Sequence, residues 1–409
     1  MSWEEKSIDS ITELVTKGTT PSTYGYNFIQ EGVNYIRAEG ISKDGTVDES
    51  TFLKISPDCH DKLKRSQLKA DDILFSIAGM ALGKTGIVKE SYLPANTNQA
   101  VAIIRPIKDL VNPKFLQYQF INPNFYELVN KFSAQAAQPN INLTQLKSLE
   151  ILIPPLQTQK RIADILSAYD DLIENNLKRI KLLEQAAQNI YKEWFVNLCF
   201  PGHENTTINQ ETGLPVGWMK LTVEEYTKVA SRGPSLNYKV DEGFPVLNQS
   251  CIRNGEIELD KVRIAAKLKE NKEHCYLQIN DILINSMGQG TLGRVSKNNS
   301  ITEKFIIHNC ITFLRSKDEY SQTFLYHFIS SKENYFISIS QGSTGQTTLK
   351  LSLIKEMEIN TPSADLMKLF DNQVLPMWTQ IGYFKNQNQK LKAARDILLP
   401  RLMNRTIEV

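Results

Sequence analysis

Asp71-Asp72-Ile73-Leu74-Phe75-Ser76 returns further along the chain as Asn280-Asp281-Ile282-Leu283-Ile284-Asn285. The echo extends in both directions. Trp3 and the segment ending in Lys17-Gly18 answer to Trp218 and Arg232-Gly233, and Tyr35-Ile36-Arg37 answers to Val246-Leu247-Asn248. Leu82-Gly83-Lys84 answers to Leu292-Gly293-Arg294, and Leu149-Glu150-Ile151 before Pro154 to Met357-Glu358-Ile359 before Pro362. The spacing is nearly constant: 211 from Ile36 to Leu247, 209 from Ile73 to Ile282, 208 from Pro154 to Pro362. Chance matches do not keep their order at one offset, so the chain contains one unit twice.

Each copy divides again. Short apolar runs, Ile73–Ile77, Val101–Ile104, Ile282–Ile284 and Ile311–Leu314, are broken by Gly, Asn, Asp and Pro. They predict strands in a mixed α/β (α+β) globular unit. After Pro154-Pro155, and again after Pro362, comes a long stretch with helical periodicity. Pro201-Gly202 is expected to stop the first helix, and Pro400, with no N–H to donate, to end or kink the second. The expected order is globular unit 1–155, helix 156–200, globular unit 201–362, helix 363–409.

The two helices carry matching seams. Ile162, Leu166, Tyr169, Ile173, Asn176, Ile180, Leu183, Ala187, Ile190 and Trp194 are spaced alternately four and three apart. So are Phe370, Val374, Met377, Ile381, Phe384, Asn388, Leu391, Arg395, Leu398 and Leu402. This is a heptad stripe, which keeps one face against a partner helix. Antiparallel pairing that sets Asn176 opposite Asn388 gives residue numbers summing to 564. Trp194 then meets Phe370, Ile190 Val374, Leu183 Ile381, Ile173 Leu391 and Leu166 Leu398. A buried Asn layer fixes register at some cost in stability. The expected architecture is therefore two globular units separated by two long helices in an antiparallel coiled coil, an internal repeat with pseudo-two-fold character. At ~1.5 Å per residue a helix from Gln159 to Phe195 is roughly 55 Å long, enough to act as a spacer.

Composition permits many functions and selects few. The chain has 409 residues, 41% of them hydrophobic, and a formal net charge of +2. That is ample for two or three cores but gives no strong basic excess for nucleic acid. No apolar run approaches the ~18 residues of a membrane span. The odd, scattered set Cys59, Cys199, Cys251, Cys275 and Cys310 points to reduced thiols in a cytoplasmic protein.

Ile153-Pro154-Pro155-Leu156-Gln157-Thr158-Gln159-Lys160-Arg161-Ile162-Ala163-Asp164-Ile165-Leu166 resembles the conserved-region signature of type I restriction–modification specificity subunits, as does Leu398-Leu399-Pro400-Arg401-Leu402. The globular–helix–globular–helix layout resembles that family over the whole chain. Ser363-Ala364-Asp365-Leu366-Met367 departs from the Pro-Leu-x-x-Gln pattern in the second copy. The resemblance implies two target-recognition domains, each reading one half of a split DNA target, with the helices setting the gap. It implies two methyltransferase subunits that modify an adenine in each half and two motor–nuclease subunits that cleave unmodified DNA. It implies no cofactor in this chain; the partners would use S-adenosylmethionine, ATP and Mg.

Sequence readout needs paired donors and acceptors on loops held by a rigid frame. The repeat nominates equivalent loops. The first is Ser76–Thr85, with Ser76, Gly79 and Lys84, matched by Asn285–Arg294, with Asn285, Gln289 and Arg294. Its glycines let backbone approach phosphate. The second is Thr97-Asn98-Gln99, matched by Ile307-His308-Asn309. The third is Gln135–Asn142, with Gln138 and Asn140, matched by Gln341–Lys350, with Thr344 and Gln346. Arg37, Asn248 and Gln249 complete the candidates. The ordinary alternative for each is a polar surface turn.

Catalytic motifs fail their context tests. Gly79-Met80-Ala81-Leu82-Gly83-Lys84-Thr85 is one residue short of a P-loop and opens no helix. Gly288-Gln289-Gly290-Thr291-Leu292-Gly293 lacks the following helix of a dinucleotide site. Asn122-Pro123-Asn124-Phe125 lacks the second Pro of an amino-methyltransferase motif. The five histidines show no zinc-ligand spacing. Three functions stay open: a DNA-reading subunit, a scaffold whose globular units bind proteins, and a nucleotide-using enzyme built on Gly79–Thr85.

Overall fold

The duplicated run forms the same strand in both copies, Ile73–Ser76 and Ile282–Asn285, buried along its whole length. The computed structural model describes all residues except 1–2, 134–139, 239–242, 254, 267, 269, 289 and 341–347. The chain forms two compact units, one of Met1–Ile173 with Gln389–Val409, the other of Glu174–Asn388.

In the first unit a four-stranded antiparallel sheet runs in the order Thr12–Lys17, Val101–Pro106, Ile73–Ser76, Thr85–Ile87. A three-stranded sheet centres on Val33–Ile36, between antiparallel Leu53–Ile55 and parallel Ala95–Thr97. Glu4–Ser7 pairs with Glu150–Ile153. The second unit repeats this topology: Thr227–Arg232, Ile311–Ser316, Ile282–Asn285, Val295–Lys297; then Arg263–Ala265, Phe244–Leu247, Ile306–Ile307; then Met219–Thr222 with Glu358–Thr361. It adds one small hairpin, Ile252–Arg253 with Glu256–Ile257.

The physical details repeat too. Asp71 and Asn280 take the left-handed conformation (φ 70° and 68°), where short polar side chains are tolerated best after Gly. The next residue in each copy is a buried carboxylate held by a bidentate Arg. Arg105 donates to Asp72 at 2.7 and 2.7 Å, and Arg315 to Asp281 at 2.6 and 2.8 Å. Gly18 and Gly233 lie so near the neighbouring strand that a Cβ would meet Thr97 O at 2.1 Å and Ile307 O at 1.8 Å. Only Gly permits that approach.

The first long helix, Leu156–Tyr191, ends in a π-helical turn, Lys192–Val196, so it stops before Pro201-Gly202 is reached. The second runs Ala364–Met403. It passes through Pro376 and continues for three residues beyond Pro400, correcting the expectation that Pro400 ends it. Burial of Leu399, Leu402 and Met403 in the first unit's core holds that last turn against the missing hydrogen bond. In the first unit Ile162 and Leu166 share a core with Leu398. There Arg395, a charged residue in the seam, is satisfied by Asp170 at 2.5 Å. In the second unit Trp194, Phe370, Val374 and Ile381 lie in one core, with Leu183 and Ile190 packed on it. The Asn176 amide donates to Asn388 Oδ1 at 2.8 Å and to Gln387 Oε1 at 2.9 Å, both Asn side chains being buried. Ile173 is buried and Leu391 half-buried.

Gln159, in the Pro-Leu-x-x-Gln segment, is buried and anchors the helix start. It donates to Leu110 O and Pro154 O and accepts from Asn112 N. At the equivalent point the second copy has Met367, whose sulfur lies 3.6 Å from Tyr226 Oη, while that hydroxyl donates to Ser321 O at 3.0 Å.

Candidate nucleic-acid interface

The three nominated loops are distant in sequence, and sheet pairing brings them together. In the first unit Ile77 N donates to Ala100 O at 2.9 Å, setting the Thr97–Gln99 turn beside the Gly-rich loop. Ile141 N donates to Ile77 O at 3.0 Å, bringing in the end of the third loop, where Ala78 bridges exposed Asn140. The second unit repeats both contacts: Ser286 N to Cys310 O at 2.8 Å, and Leu349 N to Ser286 O at 2.9 Å. Strand pairing of Ile36 with Thr97 places Arg37 at this cluster, and His308 N to Leu247 O at 2.9 Å places Asn248 and Gln249 there. Gln138, Gln289, Thr344 and Gln346 lie outside the described residues.

The Gly-rich loop is closed the same way twice. Ser76 N bonds Lys84 O and Gly83 N bonds Ser76 O; Asn285 N bonds Arg294 O and Gly293 N bonds Asn285 O. Gly79 is exposed at φ 70°, and Gly83 and Gly293 have φ 80° and 85°. The chain after the loop is a strand, Thr85–Ile87, where a P-loop has a helix.

Individual candidates differ in what their side chains can do. Ser76 and Asn285 are fully buried, which corrects their nomination as base contacts: no base edge reaches them there. Asn285 Nδ2 donates to Gln249 O at 3.0 Å instead. Asn248 is also buried and serves as a helix cap, accepting from Ser250 N and donating to Lys261 O. Arg294, half-buried, donates to Gly290 O at 2.8 Å and Ile252 O at 3.3 Å, so it braces its loop. Gln99 is exposed, and Arg37, Lys84, Asn98, Gln249, His308 and Asn309 are half-buried. Burial first, and the charge of Arg263 second, hold His308 below the ordinary imidazole range.

Polar atoms left without partners concentrate here. Among the described residues nine buried side-chain polar atoms lack a hydrogen-bond partner; six belong to Arg37, Ser76, Thr85, Asn98, Arg232 and Asn285, all at these clusters. Buried polar groups are normally satisfied; of these six residues Arg37, Asn98 and Arg232 are half-buried, while Ser76, Thr85 and Asn285 lie beneath the loops. Thr85 and Arg232 were not nominated from sequence. Arg232 carried a signal, since Arg232-Gly233 matches Lys17-Gly18.

Two copies of one sheet framework, each with a polar loop cluster and a share of both long helices, define a class of duplicated recognition proteins rather than an enzyme cleft. The profile of the Type I restriction modification DNA specificity domain matches residues 1–185 and 215–369, and the chain belongs to that family. It is similar to the Type I restriction enzyme MjaIX specificity subunit of Methanocaldococcus jannaschii, at 26% identity over 98% of this chain and 92% of that one. It is also similar to the HindI specificity subunit of Haemophilus influenzae, at 24% identity over 83% of this chain and 87% of that one. The crystal structure of a type I restriction–modification S subunit from M. genitalium shares the fold, with TM-score 0.56 at 16% identity, covering 98% of this chain and 96% of that one. The chain thus stands with the specificity subunits, the non-catalytic component of such systems. Among the described residues no helix is long and apolar enough to cross a membrane.

Proposed function

We propose that this chain reads a split DNA target, one half with each repeat, and directs adenine methylation and cleavage by partner subunits in the cytoplasm. The observation that carries this is the twice-repeated convergence of two loops and the described end of a third, which sets exposed Gln99 and half-buried Lys84, Asn98, His308 and Asn309 in matching places. Base edges and phosphates are the ligands that suit such surface donors and acceptors. The domain division is 1–155 and 201–362 for recognition, with the helices between and after them as spacer.

The partners are two methyltransferase and two motor–nuclease subunits, which bring S-adenosylmethionine, ATP and Mg. Exposed Leu172, Leu177, Leu182, Leu369, Leu375 and Tyr383 on the long helices supply apolar area for protein docking. The net charge of +2 fits a chain whose partners supply part of the DNA-facing charge. The test is mapping of methylated adenines in DNA from cells expressing the complex, with selection from random-sequence DNA alongside. A split motif supports the proposal; no enriched motif refutes it and favours a protein scaffold.

A further inference from the structure

We infer that a hydroxyl–amide pair, Thr20 with Gln99 in the first unit and Ser235 with Asn309 in the second, decides which hydrogen-bonding groups each unit offers to a base. This rests on the DNA-reading function proposed above. Gln99 and Asn309 are among the sequence candidates; Thr20 and Ser235 are not, since neither carries a sequence signal of its own.

The two pairs occupy matching places. Gly18 and Gly233 let their loops close on the neighbouring strand, and two residues later each loop presents a hydroxyl. In the first unit Thr20 Oγ1 donates to Gln99 Oε1. In the second Asn309 Nδ2 donates to Ser235 Oγ at 3.1 Å. Gln99 and Ser235 are exposed, Thr20 and Asn309 half-buried. Each pair has an exposed arginine nearby. Arg65 Nη2 donates to Thr19 Oγ1 at 3.3 Å, and the charge of Arg263 is felt by Tyr238 and His308, whose rings lie 6.0 Å apart. Such arginines suit backbone phosphate.

An unrestrained amide can turn either end toward a base; a bond to one end decides which end is left. With its oxygen held by Thr20, Gln99 presents the NH2 group, a donor, which fits the accepting O6 and N7 edge of guanine. With one N–H given to Ser235, Asn309 keeps its oxygen and a second N–H, which fit N6 and N7 of adenine. Among the described residues neither remaining end has another partner. The two units therefore offer different donor–acceptor sets from one scaffold, a donor pair in one and a donor with an acceptor in the other, as unlike half-sites require. Thr20 and Ser235 are positioning residues, acting through the amides.

The test is selection of bound sequences from random DNA by the chain complexed with its methyltransferase partner, as wild type and as Thr20→Val, Thr20→Ser, Gln99→Met and Ser235→Ala. Wild type is expected to return a split motif. Thr20→Val and Gln99→Met should each relax one guanine position of one half by about tenfold, leaving the other half intact. Thr20→Ser should restore it, and Ser235→Ala should relax one adenine position in the other half. A wild-type motif that all variants keep at every position overturns the inference alone, as does relaxation at a base other than guanine or adenine. Absence of any wild-type motif removes the DNA-reading function, and this inference with it.

Discussion

Replacing Asn176 by Leu removes the donor to Asn388 Oδ1 while leaving the Asn388 amide buried in an apolar seam. The two side chains are 5% and 6% exposed, so water does not replace the lost bond. A buried polar group that loses one hydrogen bond costs about 1–3 kcal/mol. The second unit, Glu174–Asn388, is of a size for which each kcal/mol shifts the melting temperature by about 2–4 °C. Asn176→Leu should therefore lower the melting transition by roughly 2–12 °C, and Asn388→Leu by a comparable amount. The double variant removes both amides and restores a continuous apolar stripe. Its stability should return to within about 1 kcal/mol of wild type, because replacing both members of a buried polar pair is often neutral. Urea denaturation of all four proteins, followed by circular dichroism, closes the double-mutant cycle. Additive effects, or an Asn176→Leu variant as stable as wild type, would refute the antiparallel register.

Asp281→Asn should destabilise the second unit by about 3–5 kcal/mol, because Arg315, its side chain 9% exposed, would keep a buried charge without its carboxylate; chemical unfolding measures this. His327, pushed down to about 3 by burial first and by the charge of Lys297 second, binds its proton less readily folded than unfolded. Its contribution is thus complete above pH ~6.5 and is lost as pH falls toward 3, and His327→Gln should flatten a stability profile across that window. Arg294→Ala should weaken binding to one half-site through a loosened glycine loop, leaving the melting curve nearly unchanged; unaltered affinity in a titration of the complex against target DNA would remove Arg294 from the interface.

Much of the architecture is legible in one dimension. Self-similarity at a constant offset revealed two copies, and the copies share sheet order, the left-handed Asp71 and Asn280, and the Asp–Arg pair. The heptad stripe with one Asn per helix set Asn176 against Asn388, and those amides are bonded. Pro400 was misleading because tertiary burial of Leu399, Leu402 and Met403 outweighs the local penalty. The candidate site was legible by loop and not by side chain. Composition marks a polar loop, but Ser76, Asn285 and Asn248 turn inward while Gln99 stays at the surface.

The duplication, the order of globular units and long helices, the seam register and the family are readable along the chain, since periodicity and repetition are properties of neighbours in sequence. That two loops and the described end of a third meet in each unit, that Thr20 and Ser235 bond the amides of Gln99 and Asn309, and that each compact unit takes a share of both long helices emerge in three dimensions alone. Those are consequences of strand pairing between segments far apart in sequence, and which side chain faces out follows from that pairing, not from the residue's own chemistry.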